Sequence, residues 1–531
     1  LRATGAIRAA EVPGGFSAIR PRESAFAGAP SRIPHPSWII HRLESVEGAS
    51  TRALAVWETR EGNVFNAPAI LASDQALWFS HVLLNDDPGE GGRLLLAALG
   101  RFWPDAWRLA AMYRRGRIAS ELPYPDFDSA WKNLVAVGRS RPNVVAELNA
   151  AVQARRNGTA LLERGEFFQA IRLFEYAAER LAEAYLKSRS RPLNEFKAAW
   201  CHSGDGAGGG WDSSIQTLKQ QGFNVMLANV MNAGMAWFPS QFLPGSPSVD
   251  EGIDPLRDLV LACRRYGVQC HAWIMCFRMG DHGDPEFVAR IKREGRLQVK
   301  FDGSLEPLWL CPNEPHNQAM LLSAIREIVT RYGVDGVHLD YIRYPGQDAC
   351  FCKHCRAEFE RFVGHRVQPW PAAVRRDANL AAQWLEFRRR SIDRFVASVR
   401  HVVKQSPRPK TYVSAAVFRN ESSARNSIAQ DWANWARNGW VDFVCPMNYT
   451  GNLAAFRNST ARQLRLGARL GISVFPGIGL TSHHLGSVEA IRQIEAARQL
   501  GAAGFVIFQF NHATKNQEFA DFAKGTTANR P

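Results

Sequence analysis

Polar, helix-like stretches give way to short apolar runs at regular intervals through the second half of the chain, with a glycine at the junction. "QQGFNVMLANV", "RRYGVQCHAWIM", "TRYGVDGVHLDYI", "ARNGWVDFVCPMNY", "ARLGISVFPGIG" and "RQLGAAGFVIFQF" share this pattern, at Gly222, Gly267, Gly333, Gly439, Gly471 and Gly501. A glycine in the left-handed conformation closes a helix without steric cost, so each junction reads as helix end followed by strand start. "FKAAWCHS" (196–203) and "TYVSAAVF" (411–418) add two further apolar runs. Eight strands alternating with helices over about 320 residues predict an α/β fold with a parallel sheet, and the count suits a (β/α)8 TIM barrel spanning 193–520. An open doubly wound sheet is the alternative, but it usually has fewer strands and a glycine-rich phosphate loop. "GDGAGGGW" (204–211) follows the first strand without the lysine spacing of such a loop, and reads instead as a flexible active-site loop.

Upstream, "ALAVWE", "NAPAILA" and "ALWFSHVLL" read as strands and "GGRLLLAALGRFW" as a helix, together a small α/β domain over 1–120. A helical segment over 121–192, with the amphipathic "FFQAIRLFEYAAERLAEAYLK", is expected to connect it to the barrel; "SRSRPLNE" (188–195) is the linker and 521–531 a C-terminal tail. His81 and Asp86–Asp87 in "HVLLNDD" read as structural, so the first 190 residues carry no chemistry in this reading.

Composition narrows the function classes. The chain has 531 residues, 46% hydrophobic and 22% charged, which is ordinary globular composition and too long for one compact core. No run of 18 apolar residues suggests a membrane span. The chain begins at Leu1 without a signal-peptide pattern, which leaves a periplasmic, extracellular or cytoplasmic location open. Net charge is +15, but the arginines are scattered along helices such as "EFRRRSIDRFVASVRHVVKQ". No zinc-finger, RRM or helix-turn-helix pattern accompanies them, so a solvated basic surface is expected and no nucleic-acid partner. Nothing in the pattern sets an oligomeric state.

The chemistry gathers at strand ends. Side chains alternate along a strand, so in "VHLDYI" Val337, Leu339 and Tyr341 are expected to face the helices, while His338 and Asp340 point into the barrel. Asp340 then stands at the C-terminal mouth, where barrel enzymes hold their active sites. An unpaired carboxylate is costly to bury, so Asp340 reads as functional; a rim salt bridge with Arg343 is the structural alternative. The other strand ends offer Trp200 and His202, Asn229 and Asn232, His271 and Trp273, Asn448 and Tyr449, and Gln509 and Asn511. With Arg343 and Tyr344 they form a candidate sugar site, since rings stack on pyranose faces and amides serve hydroxyls.

Over residues 195–515 the chain resembles the family 10 glycosyl-hydrolase-like proteins. The motifs that carry the resemblance are "FKAAWCHSG", "GFNVMLANVMNAGMAWFPS", "EGRLQVKFDGSLEPLWLCPNEP", "GVDGVHLDYIRYPG", "QDWANWARNGWVDFVCPMNYT" and "VFPGIG", in the expected order. The resemblance implies a TIM-barrel glycoside hydrolase acting on an oligo- or polysaccharide, with bacterial glycans such as peptidoglycan strands among the substrates of related proteins. Asp340 matches the acidic position of the strand-four motif. Glycosidic cleavage commonly needs two carboxyl groups. Many relatives have "PMDYT" on strand six, whereas this chain has Asn448 in "PMNYT". The second carboxylate is therefore sought in Asp431, then Glu421, with Asp205 and Glu314 as further candidates; assistance by a substrate N-acetyl group would remove the need for one. Asp212 reads as a helix cap, and Asp442 precedes its strand at the wrong end of the barrel. A carbohydrate-binding protein on a degenerate barrel is the alternative function.

"CFCKHC" places Cys350, Cys352 and Cys355 in a C-x-C-x2-C spacing, which suits a tetrahedral zinc with Cys311 of "WLCPNEP" as fourth ligand and His354 as its rival. The spacing also resembles the structural zinc site of family 42 β-galactosidases. A disulfide with spare thiols is the alternative. A closed four-ligand site leaves no position for water, so the expected role is structural, pinning the loop beside Asp340; a catalytic zinc is the rival. The other five cysteines read as core.

Overall fold

A computed structural model describes residues 6–22, 28–46, 49–83, 88–189, 192, 194–281 and 283–528. The chain forms two compact units, Leu1–Ser188 and Arg189–Pro531.

Among the described residues, the first unit holds a five-stranded antiparallel sheet and five helices. The three expected strands are Arg52–Thr59, Val64–Ala72 and Leu77–Phe79, and the helix is Pro88–Phe102. Two further strands, Ala6–Pro21 and Ile33–Ser45, precede them. The first of these contains Pro13, Gly14 and Gly15, which the strand absorbs in a register shift between Pro13 and Phe16. Trp57 and Ile70 of the sheet pack with Leu94 of the helix. His81 hydrogen-bonds Ser37 and the Val82 carbonyl, whereas Asp86–Asp87 and three positions of the 188–195 stretch lie outside the described residues.

The second unit is a closed barrel. Its parallel strands are Phe196–Cys201, Val225–Asn232, Gln269–Met275, Gly336–Asp340, Tyr412–Phe418, Phe443–Met447, a split seventh (Ser473–Val474 and Gly477–Gly479) and Gly504–Phe508. Neighbours pair in sequence order, and pairing of the eighth with the first closes the ring. Pro476 lacks the amide a ladder needs, which divides the seventh strand. Alternate residues fill the interior, among them Trp200, Val225, Leu227, Trp273, Phe443, Phe475 and Val506. Five of the six junction glycines take positive φ, from 62° at Gly267 to 85° at Gly501. Gly333 does not: Tyr332 already leaves the helix in extended conformation, and the space a Cβ would take at Gly333 is filled by the Arg264 and Arg408 guanidinium ends. Among the described residues, no helix is long and apolar enough to cross a membrane.

A hairpin, Leu297–Val299 with Leu305–Leu310, interrupts the alternation after the third strand. The hairpin is anchored at two places. Trp309 pairs with Arg278 at the mouth, and backbone hydrogen bonds of Phe301 and Phe351 tie the hairpin to the loop after strand four.

Candidate active site

Asp340 ends the fourth strand and is 7% exposed. Its Oδ1 accepts from the Tyr341 amide at 2.6 Å and its Oδ2 from Trp273 Nε1 at 3.2 Å. Burial pushes its carboxyl above the ordinary aspartate range, opposed by the Tyr341 amide, the charge of Arg343 and the Trp273 donor. Tyr341 has φ +47°, an unfavourable conformation for an aromatic residue. This turn aims its amide at Asp340 and swings its ring against Trp309, 5.7 Å between centroids. Tyr341 therefore departs from the expected outward alternation. Arg343 makes no ion pair with Asp340 among the described residues. Its guanidinium sits between Phe418 (4.8 Å), Tyr341 (4.9 Å) and Trp309 (5.0 Å), while its Nε is buried without a partner.

Several other residues share this mouth. His202 is exposed and packs edge-on against Trp273 at 5.5 Å, its amide donating to Gln509 Oε1 at 3.3 Å. Tyr449 stacks on Phe508 at 5.3 Å, and its phenol is pushed up by burial and by the Asp340 charge. Asn229 is fully buried beside Trp273 in register, with Oδ1 unpaired. An orphaned acceptor and an orphaned guanidinium nitrogen at one mouth favour a polar, hydrogen-bonding ligand.

Other predicted contacts stand elsewhere. His271 is at the opposite end of the barrel, stacked on Tyr412 and in register with Gly336; alternation set its inward direction but not its depth. Trp200 is 1% exposed and donates to His338 Nε2 at 3.1 Å, so it fills the core beneath the mouth. Tyr344 is fully buried, its hydroxyl accepting from Asn313. Asn232 accepts from the Gly234 amide, and Asn511 from the Ala513 and Thr514 amides, both as loop caps.

Asn448 faces the helix layer. It exchanges hydrogen bonds with Gln463, 2.7 Å in one direction and 2.8 Å in the other, and donates to Thr460 at 3.1 Å. Asn448→Asp is expected to leave turnover unimproved and to destabilise the chain by about 1–3 kcal/mol, since it removes a buried donor from two acceptors. Chemical denaturation of the variant checks this; a gain in activity would place the side chain in the reaction.

Asp431 caps the helix Trp432–Arg437 and pairs with Arg425 at 2.7 Å. Glu421 opens the neighbouring helix, its carboxyl raised by burial and by Asp431. Neither contacts Asp340 among the described residues. Glu314 caps Pro315–Arg331, Asp205 accepts from Ser248, Asp212 lies inside its helix and pairs with Arg265, and Asp442 pairs with Arg400. A further carboxylate near this mouth, not among the sequence candidates, is Asp281, held 2.7 Å from Arg278. Arg278 lies 5.6 Å over the Tyr341 ring, and the Asp281 charge acts on both His202 and Tyr341. The signal available in the sequence was its place shortly after the third strand.

Beside this mouth lie the four cysteines. Cys311, Cys350, Cys352 and Cys355 are buried, with sulfurs all within 4.8 Å of one another. Cys311 stands 3.5 Å from Cys352 and 3.5 Å from Cys355. A tetrahedral zinc–thiolate centre with bonds of about 2.3 Å puts its sulfurs about 3.8 Å apart, so the cluster fits a metal and is too open for a disulfide. The Val299 and Cys355 amides and Asn313 Nδ2 donate to the sulfurs at 3.4 Å. His354 stands outside the cluster.

The sequence model described as Glycosyl hydrolase-like 10 matches residues 210–472. Similar curated proteins include Glycosyl hydrolase DigH of Escherichia coli strain K12, 24% identical over 268 residues, covering 44% of this chain and 56% of that protein. Glycosyl hydrolase YngK of Bacillus subtilis strain 168 is 21% identical over 259 residues, covering 44% and 48%. An S-layer-related protein of Niallia circulans is 27% identical over 242 residues, covering 38% and 15%. The matches thus span about half the length of these relatives or less. Among solved structures, the PgaB (BpsB) glycoside hydrolase domain from Bordetella bronchiseptica aligns at 15% identity with TM-score 0.48, over 60% of this chain and 92% of that one.

Proposed function

We propose that this chain, whose residues 210–472 match the glycosyl hydrolase-like 10 model, cleaves glycosidic bonds in a polysaccharide, with Asp340 as general acid. The observation that carries this reading is a buried carboxyl with a raised pKa at the floor of an aromatic-lined mouth. Burial keeps the proton on Asp340 at a pH where a solvated aspartate has lost it, and protonation of the leaving oxygen needs that proton. Asp281, oriented by Arg278, supplies the second carboxylate, as base or nucleophile. Asn229, His202 and Gln509 offer hydrogen bonds to sugar hydroxyls, and Tyr341, Trp309 and Phe418 offer rings.

Peptidoglycan-type glycan strands are the first substrates to test. Purified protein incubated with bacterial glycans, with and without stem peptides, should release reducing ends. Retention of glycan with no release would favour the second reading, a carbohydrate-binding barrel. That reading is motivated by Asp431 and Glu421, the carboxylates first sought as partners, making no contact with Asp340 among the described residues.

The pH dependence has a definite sign. A general acid works while protonated, so the rate falls as pH rises through the folded pKa of Asp340, and the limb lies above the range of an unperturbed aspartate. The same shift favours the folded state below the unfolded pKa, and this contribution is lost as pH rises through the folded one. A rate profile whose descending limb is unchanged in Asp281→Asn but absent in Asp340→Asn assigns it; a limb that survives in Asp340→Asn would sink the assignment.

We further propose that the four cysteines hold one zinc ion with a structural role. Four thiolates complete the coordination of zinc, and bound metal would fasten the 297–310 hairpin to the loop after strand four. No chemical step is assigned to it.

A further inference from the structure

Arg388 lies on the long helix Ala378–Lys404 and is 1% exposed. Among the described residues no aspartate or glutamate pairs with it, and the Tyr344 ring beneath it leads to the cysteines, since Asn313 Nδ2 donates to the Tyr344 hydroxyl at 3.3 Å and to Cys355 Sγ at 3.4 Å. The guanidinium lies 4.4 Å over the Tyr344 ring. One terminal nitrogen donates to the Gly346 carbonyl, in the loop after strand four. The other donates to the Ser427 carbonyl at 3.3 Å, after strand five, and Nε has no partner. Next to it, the Tyr344 amide donates to the Ile428 carbonyl at 3.0 Å, so the two loops are joined here.

A buried cation with no anion is strongly destabilising. Carbonyl oxygens solvate a guanidinium in part but do not balance its charge. Four neutral thiols would not balance it either. A divalent metal bound by four thiolates carries a net charge of −2, and burying that centre requires a nearby cation as much as Arg388 requires an anion. The two problems have one solution. We infer that Arg388 is the counter-ion of a divalent metal–tetrathiolate centre at Cys311, Cys350, Cys352 and Cys355. It is also the strut through which that centre holds the loops after strands four and five. This rests on the metal reading above and extends it: Arg388 is a positioning residue, acting on the metal through charge and on the mouth through the two loops.

The test separates charge from packing. Full-length chain loaded with zinc is mixed with a chromophoric chelator, and the rate of zinc transfer is followed for wild type, Arg388→Gln and Arg388→Lys. Glutamine keeps amide donors for the loop carbonyls without the charge, and lysine keeps the charge without the planar fork. Arg388→Gln is expected to weaken zinc retention by about 10–100-fold, the range for lost outer-sphere partners, with Arg388→Lys within a few fold of wild type. In a Cys352→Ser background, where the anion is gone, Arg388→Gln should cause little or no further loss of thermal stability. Equal zinc retention in wild type and folded Arg388→Gln overturns the counter-ion role, as does the same stability loss with and without Cys352. Should Arg388→Gln fail to fold, the lysine variant decides: wild-type retention supports the charge, and loss equal to a cysteine variant refutes it. A wild type that binds no zinc fails the metal reading itself, before any Arg388 variant is needed.

Discussion

Asp340→Asn is expected to lower turnover on a true substrate by between about 10² and 10⁴-fold, the usual contribution of a positioned acid, while leaving the fold intact. The environment explains both halves of that expectation. Asparagine is nearly isosteric, and its amide oxygen can still accept from the Tyr341 amide or from Trp273 Nε1, the two donors now serving the carboxyl. It cannot deliver a proton to a leaving oxygen. Wherever Asp340 is ionised, the wild-type chain bears the cost of holding a carboxylate in a place that disfavours its charge, and asparagine removes that cost. The melting temperature should therefore stay level or rise slightly, as happens where a site is built for activity at the expense of stability. Circular dichroism and thermal melts, run beside reducing-end assays, check the pair. Near-normal turnover in a folded Asp340→Asn sample would remove this residue from the chemistry. A variant that fails to fold would instead give it a structural role.

Loss of the metal centre should have the second-largest effect. The wild-type chain is expected to contain about one equivalent of zinc by elemental analysis, falling to near zero in Cys352→Ser, with a melting temperature lower by on the order of 10 °C. Serine is chosen with care. Cys352 is the N-cap of the helix Lys353–Val363, its side chain accepting from the Cys355 amide, and serine is among the best N-cap residues. The substitution thus keeps the local cap and removes one ligand, so a fall in stability reports the centre and not a frayed helix. Activity should decline only as far as the loop beside Asp340 loosens, because the closed ligand set leaves no site for a substrate or an attacking water. Metal-free wild type that melts at the same temperature as loaded protein would reject a structural centre. Abolished activity in a variant of unchanged stability would favour a catalytic metal.

Much of this arrangement was legible before any coordinate. Six glycine-punctuated apolar runs and two further ones, "FKAAWCHS" and "TYVSAAVF", located the eight barrel strands, and the C-x-C-x2-C spacing with Cys311 located the cluster. The barrel's occupants were less legible. Asn448 and His271 were grouped with Asp340 because all three sit on strands or at their ends. Only one of them reaches the mouth. Asn448 is turned toward Gln463, fifteen positions ahead of it, and His271 lies near the start of its strand, so that its ring belongs to the bottom layer with Phe196 and Phe443. Tyr341 was assigned outward by alternation, but the strand ends at Asp340 and a positive φ redirects the next residue.

The division follows from range. Backbone direction and side-chain alternation are local properties, so the amino-acid order determined the strands, their inward faces and the clustering of three thiols on one turn. Height inside a barrel depends on how far each strand slides against its neighbours, and the partner of a buried charge depends on segments distant in the chain. Those quantities have no local signature. The tertiary structure alone therefore decided that Asp340 meets Trp273, that Arg278 lies over the Tyr341 ring, and that Arg388 lies over Tyr344.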